Sequence, residues 1–145
     1  IDKTEGSKPI AVIFNLGVND LGNAGNYVSY MTSIASTLKS KNCKLFYMSV
    51  NPINSTMITK AGRGARTEAQ VREFNSKIRS GLSLDYKYID MYSVLMKKGY
   101  GTNASYNGTD ADSDDGLHYT TKTFKRIYYY CITYLNTGSI NASYY

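Results

Sequence analysis

Residues 10–16 are apolar at every position except Asn15. A strand with one face in water alternates apolar and polar side chains, so a nearly uninterrupted apolar run indicates a strand that is buried on both faces. Strands of this kind occur in parallel sheets whose two faces are covered by helices. The segment therefore predicts the interior of a parallel sheet early in the chain.

Helical and strand patterns then alternate along the sequence. Apolar residues recur at helical spacing from Val28 to Leu38, and Thr67 with Gln70 forms a capping-box pattern at the start of a second helix. Strands that alternate with helices predict an α/β fold in which ligands bind beyond the carboxyl ends of the strands. The predicted order is strand 10–16, helix 25–40, strand 44–50, a loop after Asn51-Pro52, helix 67–80, strand 86–91, a long loop over 99–116 and a last helix capped by Thr120 or Thr121.

Length and composition fit a single domain. The chain has 145 residues, of which 42% are hydrophobic and 19% are charged, so it can bury a sizeable core. We expect one domain over residues 1–136 and a C-terminal tail over residues 137–145. No apolar stretch approaches the ~18 residues of a membrane-spanning helix, which predicts that no segment spans a membrane.

The net charge of +6 comes from 17 basic and 11 acidic residues. Basic side chains beside aromatic ones also occur on surfaces that bind nucleic acids. Here the charges are scattered, which is more typical of solvated helix faces, and we expect no nucleic-acid partner. The most basic stretches contain Arg63, Arg66, Arg72, Lys77 and Arg79, and then Lys122, Lys125 and Arg126.

The sequence gives little support for a metal or cofactor site. Two cysteines, Cys43 and Cys131, and one histidine are too few for a zinc ligand set. Acidic residues alternate over residues 110–116 as in a calcium loop, but Gly116 falls one place late and Thr121 occupies the position of the bidentate glutamate. We therefore expect no metal and no cofactor. For the cysteines we expect two free thiols, with a disulfide as the alternative.

The only histidine, His118, stands three residues after Asp115 and just before the last predicted helix. At this spacing the carboxylate can fold back and accept the Nδ1 proton of the imidazole, which leaves Nε2 as a base. Long loops such as the one before this pair often carry functional residues. Asp115 and His118 are therefore the candidate acid and base of a catalytic site.

A second motif, Gly-Val-Asn-Asp at residues 17–20, closes the first predicted strand. Gly17 allows a sharp turn, Asn19 can direct its side-chain amide at a developing oxyanion, and Asp20 can accept hydrogen bonds from backbone N–H groups. These residue types are also ordinary turn formers. Because the loops at the carboxyl end of a parallel sheet lie together, we expect Asn19 and His118 to face a common cleft.

The two motifs, in this order and in these contexts, resemble blocks of the SGNH (GDSL-like) hydrolase family. Gly17 to Asp20 match its Gly-x-Asn-Asp block, and Asp115 to His118 match its Asp-x-x-His block. The resemblance covers nearly the whole chain and implies a flavodoxin-like, three-layer α/β/α fold. It also implies a serine esterase that hydrolyses acyl or acetyl esters of lipids or carbohydrates. Asn19 would then be an oxyanion donor, Asp115 the acid of the triad and His118 its base.

The sequence departs from the family because the Gly-Asp-Ser block, which carries the nucleophilic serine, and the following block with an oxyanion glycine are missing. The chain thus resembles a family domain truncated at its N-terminus, and by itself we expect it to be inactive. In the family, the strand with the nucleophile lies beside the strand that corresponds to residues 10–16. We therefore expect the missing N-terminal segment, or a second copy of the chain, to pair with strand 10–16.

The alternative is a non-catalytic α/β module, derived from a hydrolase, that binds a glycan or a protein partner. The missing nucleophile block favours this alternative. The joint presence of Asn19, Asp115 and His118 favours the enzyme, since a binding module has no evident need of all three. The low fraction of charged residues and the abundance of Tyr, Asn, Ser and Thr favour an extracellular or cell-surface location.

Overall fold

The computed structural model describes residues 9–101, 115–141 and 143. Parallel strands and helices follow one another in this part of the chain, so the predicted α/β fold with a parallel sheet is confirmed. Two compact units are formed, one from residues up to Val50 together with Glu73–Ile89, and one from Asn51–Arg72 together with residues from Asp90 onward. The elements are β1 (Ile10–Phe14), α1 (Ala24–Lys39), β2 (Cys43–Met48), α2 (Ser55–Lys60), α3 (Glu68–Gly81), β3 (Tyr86–Ile89), α4 (Met91–Lys97) and α5 (Thr121–Thr137).

The sheet lies in the first unit in the order β1-β2-β3. The central strand, β2, is paired on both sides and is buried from Leu45 to Met48. β1 is as apolar as β2 but is only half-buried, and among the described residues it pairs with β2 alone. β1 is therefore an edge strand whose sequence is that of an interior strand. It also ends at Phe14, two residues earlier than predicted.

The core of the first unit lies between the sheet and helix α1. α1 packs on β2 and buries Met31 and Ala35, and the Tyr86 hydroxyl donates to the Met31 carbonyl oxygen at 2.7 Å. The part of α3 in this unit buries Phe74 and Ile78 completely. The apolar periodicity predicted both helices to within one residue at each end, because their buried faces repeat at helical spacing.

Two short helices of the second unit depart from the prediction. The loop predicted after Asn51-Pro52 contains α2, and the strand predicted over 86–91 ends at Ile89, so that Met91 instead begins α4. Helices of six and seven residues are too short to show a repeating apolar stripe. Each is instead defined by a capping side chain: Asn54 accepts from Met57 N–H and Asp90 accepts from Ser93 N–H, both at 3.1 Å.

Helix α5 begins as predicted, with Thr120 Oγ1 accepting the N–H of Thr123 at 3.1 Å. Ile127 and Cys131 are buried, but Phe124, which the helical spacing assigns to the same face, is 52% exposed. Thr123 occupies the buried position there, where its hydroxyl accepts from both Thr120 and Tyr100. Neither Cys131 nor Cys43 forms a disulfide bond with another described residue. Within the described ranges, no helix combines the length and the apolar character needed to cross a bilayer.

Candidate functional site

The turn after β1, in the first unit, carries the Gly-Val-Asn-Asp motif. Asp20 N–H donates to the Gly17 carbonyl oxygen at 2.9 Å and closes a β-turn. Gly17 has a φ of +116°, and a Cβ added there would lie 2.4 Å from Cζ of Phe74. The turn therefore requires glycine both for its backbone conformation and for space. Asn19, the third residue of the turn, is exposed, and Asp20 is half-buried.

Two side chains that the motif analysis did not identify tie this turn to the end of the sheet. Nδ2 of Asn15 donates to the carbonyl oxygen of Ser49 at 2.9 Å. The Tyr47 hydroxyl donates to the Leu16 carbonyl oxygen at 2.7 Å. The ends of β1 and β2 are thus joined by side chains where the ladder stops. In the sequence, Asn15 stands out as the one polar residue of the apolar run 10–16, which is the feature that could have pointed to its role.

The turn before α5, in the second unit, holds Asp115 and His118, and we call residues 115–118 the dyad turn. Oδ2 of Asp115 lies 2.7 Å from Nδ1 of His118, the contact that the Asp-x-x-His spacing predicts. Oδ1 accepts the backbone N–H groups of Leu117 and His118, both at 2.9 Å. The Asp115 side chain is 9% exposed and that of His118 is 62% exposed. A carboxylate in this position holds the proton on Nδ1, so the accessible imidazole presents Nε2 as a general base.

The carboxyl group of Asp115 is kept ionised by its surroundings. Burial raises its pKa, but hydrogen bonds from the His118 backbone, the His118 ring and the Leu117 backbone together lower it by more. The pKa of Asp115 therefore lies below its usual value. Asp115 remains a charged acceptor for the imidazole at neutral and mildly acidic pH.

The segment that leads into α2 supports the dyad turn. Asn54 N–H donates to the Gly116 carbonyl oxygen at 2.8 Å. Gly116 has a φ of +73°, and a Cβ there would lie 2.6 Å from both the Asn54 carbonyl oxygen and Cβ of Met57. The buried Tyr119 hydroxyl donates to the Pro52 carbonyl oxygen, and burial raises the pKa of Tyr119 well above its usual value. The acid and base are thus held by a loop from a distant part of the sequence.

A cation, Arg63, contacts the same carboxylate. Its Nε lies 3.4 Å from Oδ2 of Asp115, and its side chain is 58% exposed. Sequence reasoning assigned Arg63 to a basic stretch and gave it no role in the site. The one local feature that sets Arg63 apart in the sequence is its place between two glycines, Gly62 and Gly64.

A recess of about 540 Å³ lies at the start of helix α2 within the second unit. Asn54 and Met57, which limit the space at Gly116, also line the recess. Glu68 is the charged residue of its wall, and one of its carboxylate oxygens accepts the Ile53 N–H at 3.1 Å. The remaining lining residues are Ile53, Ser55, Thr56, Met96 and Gly101.

The other expected site features concern metal ligands and the position of Asn19. Within residues 9–101 and 115–141, no group of three or more His, Cys, Asp or Glu residues is placed to hold a metal ion. Most of the calcium-loop pattern, residues 110–114, lies outside the described residues. Asn19 belongs to the first unit and His118 to the second, and a common cleft for the two stays a prediction.

Comparisons of the chain with protein-family models, with curated proteins and with solved structures found no match.

Proposed function

We propose that this chain is the part of an SGNH-type serine esterase that carries the base, the acid and one oxyanion donor. The observation that carries the proposal is the 2.7 Å contact between Asp115 Oδ2 and His118 Nδ1. In this contact a buried carboxylate orients an imidazole that remains largely exposed. A catalytic base needs both features, a fixed tautomer and an Nε2 that another molecule can reach.

The proposed reaction is the two-step hydrolysis of an ester. His118 Nε2 takes the proton of a serine hydroxyl while the serine oxygen attacks the ester carbonyl, whose oxygen becomes an oxyanion that the Asn19 amide stabilises. The imidazolium, stabilised by Asp115, then protonates the leaving alcohol as the carbon–oxygen bond of the ester breaks. Water, deprotonated by the same imidazole, attacks the acyl-serine. The bond between the acyl carbon and the serine oxygen then breaks, the imidazolium returns its proton to the serine oxygen, and the acid leaves.

The serine of this reaction comes from a Gly-Asp-Ser block outside the 145 residues, at the end of a further strand. That strand, or a second copy of the chain, pairs with β1. The half-buried state of the apolar strand β1 supports this part of the proposal, because an apolar edge with unpaired backbone groups readily adds a strand. With the added strand, the domain becomes the flavodoxin-like, three-layer α/β/α fold that the family resemblance implies.

The proposed substrate is an acyl or acetyl ester of a lipid or a carbohydrate, met outside the cell or at its surface. The recess at the start of α2 supports a small-molecule substrate, since its volume of about 540 Å³ lies within the usual range of ligand sites and its lining residues Asn54 and Met57 also contact Gly116. Gly17 and Asp20 have supporting roles in this proposal, as the residues that shape the turn carrying Asn19.

A fluorophosphonate probe, which labels activated serines, tests the proposal. The 145-residue chain alone should not react, because a base and an acid without a nucleophile cannot form a covalent adduct. A longer protein with a Gly-Asp-Ser segment ahead of residue 1 should be labelled and should hydrolyse a short acyl ester. In that protein His118→Ala should abolish turnover.

Two results would count against the esterase. If the longer protein is neither labelled nor active, the non-catalytic binding module is the better interpretation. If it is labelled and remains fully active with His118 replaced by alanine, His118 is not the base.

A further inference from the structure

Arg63 and His118 share one acceptor atom. Oδ2 of Asp115 lies 2.7 Å from Nδ1 of His118 and 3.4 Å from Nε of Arg63. The other oxygen, Oδ1, already accepts two backbone N–H groups of the dyad turn. Arg63 therefore contacts the one oxygen that orients the imidazole, and its own side chain is 58% exposed while that of Asp115 is 9% exposed.

The end of helix α2 fixes the backbone of Arg63. Gly62, with a φ of +67°, donates its N–H to the Thr59 carbonyl oxygen at 3.1 Å, and Arg63 N–H donates to the Ile58 carbonyl oxygen at 3.1 Å. This pair of bonds is a Schellman motif, in which the residue after the left-handed glycine is bonded back to the helix. The position of Arg63 beside Asp115 thus follows from the way α2 ends.

Helix α2 contacts the dyad turn at both of its ends. Asn54, its N-cap residue, binds the carbonyl group of Gly116, and Arg63, just beyond its C-terminus, binds the carboxylate of Asp115. The first contact fixes the backbone between the acid and the base, and the second fixes the acid itself.

From this geometry we infer that Arg63 is a positioning residue of the dyad. It holds Oδ2 of Asp115 against Nδ1 of His118 and keeps water from replacing the imidazole there, so that the neutral ring stays in the tautomer with an unprotonated Nε2. Arg63 acts through Asp115 and does not touch the substrate. The catalytic meaning of this inference rests on the proposed esterase function, but the contact itself can be tested without it.

The single histidine of the chain makes a direct test possible. In the 145-residue protein labelled with ¹⁵N-histidine, every imidazole signal comes from His118, and the two ring nitrogens report the tautomer at a pH where the ring is neutral. The ratio of the Nδ1–H to the Nε2–H tautomer should fall about two- to fivefold in Arg63→Gln, the range expected for a partly exposed ion pair. Exchange of the Nδ1 proton with water should become faster.

Two further variants separate position from charge. Arg63→Lys keeps a cation and should restore part of the tautomer ratio, although a lysine lacks the planar geometry of the guanidinium. Lys60→Gln removes one positive charge from the exposed last turn of α2, where Lys60 forms no ion pair with another described residue, and should match the unaltered chain. If Arg63→Gln gives the tautomer ratio and exchange rate of the unaltered chain, or if Lys60→Gln changes them equally, the inference is wrong.

A kinetic measurement relates the contact to catalysis. In the longer protein that carries the Gly-Asp-Ser segment, Arg63→Gln should lower kcat about two- to fivefold and leave KM unchanged. A changed tautomer ratio in a protein without esterase activity would uphold the role of Arg63 and contradict the proposed function. If the longer protein is an active esterase but the tautomer ratio of Arg63→Gln is unchanged, the proposed function is upheld and the role of Arg63 is contradicted.

Discussion

Gly116 lies so close to the backbone of Asn54 that no side chain fits between them: an added Cβ would be 2.6 Å from the Asn54 carbonyl oxygen. The two residues are also joined by a 2.8 Å hydrogen bond from Asn54 N–H to the Gly116 carbonyl oxygen. Gly116 stands between the acid and the base of the dyad. Their geometry therefore depends on a contact with a residue far away in the sequence.

Gly116→Ala should destabilise the protein more than the same substitution at another glycine with a left-handed backbone conformation. We expect the free energy of unfolding to fall by about 2–4 kcal/mol, from backbone strain and from the clash with Asn54 and Met57 together. Gly138→Ala is the matched control, since Gly138 has nearly the same φ, +75°, but no atom within 4 Å of an added Cβ. It should cost about 1 kcal/mol. Urea unfolding measures the free energy of unfolding of both variants. If both lose the same amount, the close contact between Gly116 and Asn54 does not add to the cost of a side chain at residue 116.

Asn19→Ala should lower kcat of the longer, serine-bearing protein about 10²–10³-fold, the usual loss for one oxyanion donor. KM should change little, because the amide of an oxyanion donor acts on the charge that develops in the transition state. Asn136→Ala, at an exposed position in α5, serves as the control and should leave kcat unchanged. Steady-state hydrolysis of a short acyl ester provides the measurement. A kcat within a factor of about two of the unaltered enzyme would remove Asn19 from the proposed mechanism.

The lowered pKa of Asp115 gives its contribution to stability a definite dependence on pH. An aspartate in the unfolded chain has a pKa of about 3.9, and the pKa of Asp115 in the folded protein is lower. The ionised carboxylate therefore contributes its full share to the free energy of unfolding above about pH 3.9. This contribution is lost as the pH falls through the folded pKa. We expect Asp115→Asn to have a lower free energy of unfolding than the unaltered chain at pH 7. The difference should shrink as the pH falls below about 4. Denaturant unfolding at a series of pH values tests this, and a difference independent of pH would contradict it.

The edge of β1 should make the 145-residue chain associate in solution. Light scattering at increasing concentration should show dimers or larger species, since β1 is apolar and pairs with β2 alone among the described residues. Val12→Lys places a charge on this half-buried strand and should reduce association, with circular dichroism to confirm that the variant is folded. Leu84→Lys replaces a fully exposed apolar side chain outside the strands and should associate like the unaltered chain. A monomeric unaltered chain would count against pairing at this edge.

The parts of the fold that the sequence predicted are those determined by neighbours along the chain. Helix α1 and helix α3 repeat their apolar residues at helical spacing, and the capping box at Thr67 is formed as predicted, with Thr67 N–H bonded to Gln70 Oε1 at 2.8 Å. The contact between Asp115 and His118 is also local, because a separation of three residues allows the carboxylate to reach the ring within one turn. These features needed no knowledge of the tertiary structure.

Other features depend on residues that meet only in the folded chain. Helix α2 is too short to be visible as a pattern, yet its two ends supply Asn54 and Arg63 to the dyad turn. Phe124 is exposed although its spacing assigns it to the core, because the buried face of α5 consists of Thr123, Ile127, Tyr130 and Cys131 and Phe124 lies beside it.

The amino-acid sequence alone determined the α/β class, the parallel strands and the pairing of Asp115 with His118, since each follows from side-chain periodicity or from spacing within a single turn. Only the tertiary structure decided what surrounds that pair. Arg63 contacts Oδ2 of Asp115, and Asn54 both bonds to Gly116 and leaves no space for a side chain there. Each of these contacts is between residues far apart in the chain. Such contacts form when packing brings separate segments together, and no local pattern in the sequence records which segments will meet.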